Sequence, residues 1–198
     1  MQIENTAIPA VKRLTPKRFG DNRGYFSETW TAKRMPDIGA CNPFVQDNQS
    51  FSAQPGTVRG LHYQAPPHAQ GKLVRVLRGA IRDVAVDIRA GSPSFGRWVA
   101  ATLSAENGAQ LWVPRGFLHG FVTLERDTEV FYKVDAFYAP ECDGAVRFDD
   151  PILGVDWGIE PHDAILSPKD AAAPTFKDFV TPFTYDPTTE APMRADRP

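Results

Sequence analysis

The chain has 198 residues, a formal net charge of -2 at pH 7 and 23% charged residues. This length is enough for one domain with its own core, and we expect a single domain over residues 1–180 and a poorly ordered tail over residues 181–198. The near-neutral charge excludes a broad basic surface for nucleic acid or for an acidic membrane, but a few arginines could still hold one phosphate-bearing ligand. Two cysteines without CxxC spacing, no apolar leader and no apolar run of about 18 residues predict a cytoplasmic protein with reduced thiols.

The first forty residues combine strand, turn and short-helix signals. Proline and glycine are frequent, at 18 and 15 residues, and the short aromatic and β-branched runs between them favour an all-β domain. Residues 1–15 alternate weakly and end before Pro16, which predicts a strand at a sheet edge. A turn rich in Gly, Asp and Asn then leads into an aromatic strand that carries Arg23 and Glu28, and residues 31–36 predict one helical turn.

Residues 44–52, FVQDNQSFS, predict a strand with many polar side chains. Gln46, Asn48 and Ser50 share one of its faces by alternation. In a β-barrel such amides turn inward to meet a ligand, and the same alternation also fits a strand that faces solvent. The pattern alone leaves both interpretations open.

The stretch GTVRGLHYQAPPHAQGKLVR, residues 56–75, holds a histidine between cationic residues. Alternation places residues 58, 60, 62 and 64 on one face of a strand, and Lys72 begins a second strand after the turn at Pro66-Pro67. In a shared cavity His62 would accept a proton next to a carbonyl, and Lys72 would stabilise the oxyanion that forms. A core histidine and a solvated lysine fit the same residues.

The later strands follow at the spacing of a β-sandwich or barrel. Residues 72–77 and 81–89 predict a hairpin in which Asp83 would pair with Lys72 across the two strands. Beyond Asp150 the pattern loosens, with a short helix predicted over residues 169–173 behind Ser167-Pro168. Further strands are predicted over residues 98–103, 111–113, 118–124 and 129–138.

Residues 114–119, PRGFLH, have the P-x-G-x-x-H spacing that resembles the second motif of cupin barrels, where a turn delivers a histidine into the barrel mouth. A metal-binding cupin would also supply a His-x-His pair and a glutamate from its first motif. The corresponding residues here are His62-Tyr63-Gln64, and the chain has four histidines in all. We therefore expect no metal and no other cofactor, so that the chemistry comes from side chains.

Eight segments resemble, in order, the family of dTDP-4-dehydrorhamnose 3,5-epimerases. They lie within residues 19–170, and the resemblance implies an all-β fold, a cupin-type antiparallel jelly roll with short peripheral helices. The segments are DNRGYFSE (21–28), VQDN (45–48), VRGLHYQ (58–64), QGKLVR (70–75), DVAVDIR (83–89), GFLHGF (116–121), EVFYK (129–133) and LSPKD (166–170).

The resemblance also implies catalytic roles. His62 would be the general base, Asp170 the carboxylate that orients it, Lys72 the enolate stabiliser, and Tyr132 the acid on the opposite face. A C4 ketone acidifies the protons on C3 and C5, but the enolate still needs a fixed cation nearby. Inversion requires that the proton return from the other side, which a phenol on a separate strand can do. Without the family match, Tyr132 would equally fit a core tyrosine.

For substrate binding, the resemblance implies contacts to the nucleotide, the diphosphate or the sugar. Two of these residues would serve the neighbouring subunit, which implies a homodimer. The chain departs from the family at Asp143, Phe148 and Trp157-Gly158, where Glu, Trp and a Trp-Pro pair are usual, and the shorter Asp143 puts one ligand contact in question. The implied binding residues are Arg23 and Glu28 for the neighbouring subunit, and Gln46, Asp47, Asn48, Arg59, His119, Tyr138, Asp143 and Lys169.

The expected activity is epimerisation at C3 and C5 of dTDP-4-dehydro-6-deoxy-D-glucose to dTDP-4-dehydro-L-rhamnose, in dTDP-L-rhamnose biosynthesis. Epimerisation at C3 alone or at C5 alone, on a related dTDP-4-keto-deoxysugar, fits the same motifs. A sugar-nucleotide ketoisomerase and a non-catalytic cupin binding module are the alternatives from other classes. Binding alone requires neither a base nor an opposed acid, so the presence of His62, Lys72, Tyr132 and Asp170 together favours an enzyme.

Overall fold

The computed structural model describes residues 1–189, and the regular secondary structure of these residues is mostly β-strand. A 3-10 helix, Ala32–Ile38, lies between the fourth and fifth strands, and a short α-helix, α1 (Pro168–Ala171), lies near the end. No helix in this part of the chain is long and apolar enough to cross a membrane. The strands are β1 Gln2–Asn5, β2 Lys12–Thr15, β3 Phe19–Asp21, β4 Gly24–Phe26, β5 Gln46–Ser52, β6 Val58–Gln64, β7 Lys72–Arg78, β8 Ala80–Asp87, β9 Trp98–Ser104, β10 Gln110–Val113, β11 Phe117–Thr123, β12 Thr128–Val134 and β13 Asp143–Ala145.

Two antiparallel sheets face each other across a shared interior. The six-stranded sheet has the order β1-β2-β10-β7-β12-β5, and the five-stranded sheet has the order β13-β6-β11-β8-β9. The hairpin of β3 and β4 forms a separate two-stranded sheet. The predicted all-β antiparallel architecture is confirmed.

Apolar side chains fill the space between the sheets and cover both outer faces. Val74 and Leu111 from one sheet meet Ala85 and Phe121 from the other, and each fully buried large side chain contributes roughly 1.5–3 kcal/mol. The helix Ala32–Ile38 covers the outside of the six-stranded sheet. The outside of the five-stranded sheet is covered by the later residues, with the buried side chains of Phe148, Leu153, Trp157 and Phe183.

The predicted hairpin of residues 72–77 and 81–89 is wrong. β7 lies in the six-stranded sheet and β8 in the five-stranded sheet, so the short connection turns a corner between sheets. Gly79 sits at this corner with φ 76°, and a Cβ there would lie 2.4 Å from Oγ1 of Thr128. A residue with a side chain would not fit, and local alternation does not reveal which sheet the next strand joins.

Several boundaries also differ from the sequence-based expectation. Residues 1–15 form two strands, β1 and β2, rather than one. The strand predicted over 129–138 ends at Val134, so Tyr138 lies in the loop that follows. β13 was not predicted, whereas the turn before the aromatic strand β4 was, and the helix behind Ser167 spans Pro168–Ala171 rather than residues 169–173.

The packed domain extends past the predicted boundary at residue 180. Phe183 is buried in the outer core, and the backbone N–H of Tyr185 donates to the carbonyl of Ala90 at 2.9 Å. The first residues of the predicted tail therefore belong to the domain. Residues 190–198 of that tail lie outside the described residues.

Candidate active site

A cavity of about 430 Å³ opens between the two sheets. β6 and β11 supply one wall, β5, β7 and β12 the opposite wall, and residues 165–170 close a third side. The last segment is held by a parallel bridge between Ile165 and Thr57, just before β6. The polar residues that line the cavity are Ser50, Thr57, Arg59, His62, Lys72, His119, Tyr132, Ser167, Lys169 and Asp170.

β6 does not follow the alternation predicted for it. Its pairing with β11 shifts register between His119 and Phe121, so Arg59 and His62 both reach the cavity although three positions separate them. The two strands approach each other closely at this shift: a Cβ on Gly60 would lie 2.5 Å from Cα of Gly120. Gln64, predicted to share the face of His62, instead bonds backbone groups of the neighbouring loops.

His62 forms a hydrogen-bonded pair with Asp170. The His62 Nε2 to Asp170 Oδ1 distance is 2.5 Å, and the Ser167 hydroxyl donates to the other carboxylate oxygen at 2.9 Å. Burial alone would raise the pKa of Asp170, but the bonds from His62 and Ser167 outweigh it and hold that pKa below its usual value. His62 Nδ1 makes no hydrogen bond to the described residues and is not fully buried, so it is the ring nitrogen open to the cavity.

A second histidine–aspartate pair lies next to the first. His119 and His62 are Cα partners on adjacent strands, and His119 Nε2 is 2.8 Å from Oδ1 of Asp83. Both members are buried, with Asp83 fully excluded from solvent. The predicted cross-strand ion pair of Asp83 with Lys72 is therefore wrong in its geometry, because β7 and β8 are in different sheets.

Lys72 and Tyr132 stand on the wall opposite the two histidines. Burial lowers the pKa of Lys72 to about 8, against the attraction of Asp143 and Asp83, which raises it. Burial also raises the pKa of Tyr132, which keeps the phenol protonated at neutral pH. Within residues 1–189, neither the Lys72 ammonium nor the Tyr132 hydroxyl has a hydrogen-bond partner, so both are available to a ligand.

Three predicted binding residues meet at the rim. Lys169 forms an ion pair with Asp143, and the Tyr138 hydroxyl donates to the same carboxylate oxygen at 3.2 Å. The negative charge of Asp143 raises the pKa of Tyr138. Arg59 enters the cavity from β6, where its guanidinium donates to the carbonyl of Phe51 at 3.0 Å.

β5 presents Gln46, Asn48 and Ser50 on one face, as predicted. Asn48 is the Cα partner of Tyr132, so this face is the inner one, and Gln46 donates to Asn48 at 2.8 Å. The Ser50 hydroxyl lines the cavity and is buried without a partner among the described residues; alternation pointed to it, but it was not among the predicted binding residues. Asp47 lies on the outer face and pairs with Lys133 at 2.8 Å, so the structure does not bring it to the cavity.

Arg23 and Glu28 do not line the cavity of their own chain and lie on or next to the β3–β4 hairpin. Arg23 bonds Asp21 at 2.5 Å with 84% of its side chain exposed, and Glu28 is also exposed. Their predicted role in a neighbouring subunit stays a prediction. The family departures at Phe148 and Trp157 pack against each other in the outer core, with ring centroids 6.0 Å apart, and do not line the cavity.

Sequence comparisons agree with this geometry. A family model described as dTDP-4-dehydrorhamnose 3,5-epimerase matches residues 5–178. The chain is 51% identical over 189 residues to a dTDP-4-dehydrorhamnose 3,5-epimerase of Sinorhizobium fredii, covering 93% of this chain and 94% of the relative. It is 49% identical over 175 residues to the Salmonella typhimurium protein of the same name, covering 88% and 94%.

A structural comparison gives the same result. The structure of dTDP-6-deoxy-D-glucose-3,5-epimerase from Legionella pneumophila, in complex with dTDP-4-keto-L-rhamnose, matches with a TM-score of 0.88 and 45% identity, covering 93% of this chain and 99% of that one. The predicted cupin-type jelly roll is thereby confirmed.

Proposed function

The chain belongs to the dTDP-4-dehydrorhamnose 3,5-epimerase family of isomerases, and from this premise we propose a reaction for its own cavity. The cavity epimerises C3 and C5 of dTDP-4-dehydro-6-deoxy-D-glucose and yields dTDP-4-dehydro-L-rhamnose, a step of dTDP-L-rhamnose biosynthesis. The observation that carries the proposal is the placement of His62 and Tyr132 on opposed sheets, with the cavity between them.

This placement matches what inversion at carbon requires. A sugar ring between the sheets would show one face to His62 and the other to Tyr132. His62 Nδ1 takes the proton from the carbon next to the C4 ketone, and the C–H electron pair moves into the enolate. Lys72, charged near neutral pH, stabilises the enolate oxygen. Tyr132 then donates its phenolic proton to the other face of the same carbon, which inverts it.

The cations of the cavity suit a substrate that carries a diphosphate. Arg59 and Lys169 line it together with Lys72, and a guanidinium can meet two phosphate oxygens at once. Arg23 and Glu28 complete the site of the neighbouring subunit in the proposed homodimer, which explains their exposed positions on one subunit. The predicted cytoplasmic location remains a prediction.

The test is incubation of the protein with dTDP-4-keto-6-deoxy-D-glucose in deuterated water, followed by NMR. We expect deuterium at both C3 and C5 of a product with the L-rhamno configuration, and undiminished turnover in EDTA. Deuterium at one carbon would indicate an epimerase of that carbon alone, and migration of the keto group would indicate a ketoisomerase. Binding of the nucleotide without any exchange would contradict an enzyme and indicate a binding module.

A further inference from the structure

Asp83 is buried in a way that its packing does not explain. Its carboxylate is fully excluded from solvent, lies on the inner face of β8, and has an apolar interior around it that includes Ala85 and Phe121. Oδ1 meets His119, but Oδ2 makes no hydrogen bond to any described residue. An isolated buried carboxylate is costly unless cations or donors lie near it, so such a group calls for a reason.

His119 supplies the first part of the reason. His119 Nε2 is hydrogen-bonded to Asp83, whereas His119 Nδ1 makes no hydrogen bond within residues 1–189 and is not fully buried. The ring lines the cavity, so Nδ1 is the nitrogen that opens onto it. A carboxylate behind an imidazole fixes the ring orientation and stabilises the imidazolium when the other nitrogen meets a negative charge.

Lys72 supplies the second part. Burial removes water from the Lys72 ammonium and lowers its pKa. The negative charges of Asp143, at the rim, and of Asp83 act in the opposite direction and raise that pKa. Lys72 and His119 thus face one cavity from opposite sheets, and both interact with Asp83. The other titratable or charged groups lining the cavity are Arg59, His62, Tyr132, Lys169 and Asp170.

We propose that Asp83 is a positioning residue for epimerisation: it fixes the ring of His119 with Nδ1 towards the substrate and holds a negative charge within electrostatic reach of Lys72, so that the Nδ1–H of His119 and the ammonium of Lys72 both donate to the C4 oxygen of the sugar. Asp83 neither gives nor takes a proton in the reaction, because the carbon-bound proton goes to His62. The enolate would be stabilised from both sheets, by two hydrogen-bond donors that share one buried counter-charge. This inference rests on the proposed function.

The test replaces Asp83 with the isosteric Asn, which keeps the shape and removes the charge. With dTDP-4-keto-6-deoxy-D-glucose as substrate, we expect kcat to fall about 10- to 100-fold with little change in KM, less than the roughly 100- to 1000-fold lost when an oxyanion donor itself is removed. The alkaline limb of the kcat/KM profile should move to lower pH, since Lys72 loses an attraction that holds its charge. The matched control is Asp156→Asn, which removes an exposed carboxylate on the outer face beside Arg82. It should change neither kcat nor the alkaline limb of the kcat/KM profile.

A second variant distinguishes positioning from general damage. In a Lys72→Met background, Asp83→Asn should cost clearly less than it does alone, because part of its effect acts through Lys72. If Asp83→Asn does not fold, 15N-histidine NMR of the parent protein at equilibrium with dTDP-4-keto-6-deoxy-D-glucose decides, since His119 must then carry one proton on Nε2, towards Asp83, and another on Nδ1, towards the C4 oxygen.

Three results would overturn the inference. These are an Asp83→Asn variant with parental kcat and an unmoved alkaline limb, full additivity with Lys72→Met, or a His119 that carries no proton on Nδ1 in the complex with the sugar nucleotide. A parent protein that does not convert the substrate would overturn the proposed function itself. An active parent with an unaffected variant would overturn only the role of Asp83.

Discussion

The two histidine–aspartate pairs of the cavity are chemically alike and structurally different. His62 is partly open to the cavity, and its partner Asp170 comes from the short helix α1, held there by Ser167. His119 and Asp83 are both buried, and both come from strands of the same sheet. In the first pair both carboxylate oxygens have partners, whereas in the second one oxygen has none among the described residues.

The difference in exposure between the two pairs indicates which pair suits proton transfer. A base must reach its carbon and exchange its proton with solvent afterwards, and the partly open His62 meets both needs. A buried pair on rigid strands exchanges slowly but holds a fixed charge in a dry place, where electrostatic stabilisation is strongest. We therefore assign proton transfer to the first pair and stabilisation of the oxyanion to the second.

The largest effect is expected when the pair of His62 and Asp170 is broken. His62→Ala removes the base, so no enolate forms, and both epimerisation and deuterium exchange should fall by about 1000-fold or more, within the range for a positioned general base. NMR of the substrate in deuterated water measures both. Affinity for dTDP, measured by calorimetry, should change little because the diphosphate contacts lie elsewhere. His162→Ala, at an exposed loop histidine, is the control.

Continued exchange in His62→Ala would transfer the role of base to another residue, with His119 as the first candidate.

The next effect separates the two walls of the cavity. Tyr132→Phe removes the acid and leaves His62 intact, so exchange should continue at the carbon that Tyr132 serves, which we take to be C5, while inversion there falls about 100-fold. Tyr63→Phe is the control, since Tyr63 packs on the outer face against Phe179. Inversion at the parental rate, or exchange lost as completely as in His62→Ala, would contradict the assignment of the two faces.

These predictions depend on features that the sequence reveals unequally. Alternation and turn residues predict the all-β class, the turn near Arg23 and the shared face of Gln46, Asn48 and Ser50 on β5. They do not predict that Arg59 and His62 share the cavity, because that depends on an irregular pairing between β6 and β11. The partnership of His62 with Asp170, 108 residues away, came only from the family resemblance, since no local pattern encodes so distant a contact.

Asp83 is a second example of a contact that the sequence does not predict correctly. The sequence indicated an interaction between Asp83 and Lys72, and the structure retains an electrostatic one across the interior. The predicted hairpin was wrong because a pattern of two strands and a short turn does not show whether the strands pair in one sheet or lie in two different sheets. The strand order, which places Asp83 behind His119, depends on tertiary packing.

A smaller effect concerns Lys72, which faces both pairs. Its pKa in the folded protein is about 8, below the ordinary value of 10.5, so its charge is lost as the pH rises through about 8. The rate kcat/KM should then fall up to about tenfold for each further pH unit. Lys72→Gln should be slow at every pH and should lack this limb. A parental profile that stays level to pH values well above 9 would show that the charge on Lys72 is not required.

The smallest expected effect loosens the first pair without removing either member. The Ser167 hydroxyl accepts the backbone N–H of Asp170 at 3.1 Å and donates to its carboxylate at 2.9 Å, so one side chain both caps α1 and orients the partner of His62. Ser167→Ala should cost about 1 kcal/mol of unfolding free energy, as the loss of a helix cap does, and should lower kcat only several-fold, since the bond from His62 to Asp170 remains. Thermal unfolding and steady-state kinetics measure the two.

Ser94→Ala provides the matched comparison for that experiment, because the Ser94 hydroxyl also donates to a buried carboxylate, that of Asp87, at 2.6 Å but away from the cavity. It should lower stability and leave kcat unchanged, which isolates the contribution of orientation at Asp170. If Ser167→Ala keeps parental kcat, the packing of α1 rather than its cap orients Asp170. If it is as slow as His62→Ala, Ser167 contacts the reacting sugar directly. A loss between these limits is what a carboxylate with one remaining contact should give, because it still faces His62 but is no longer fixed there.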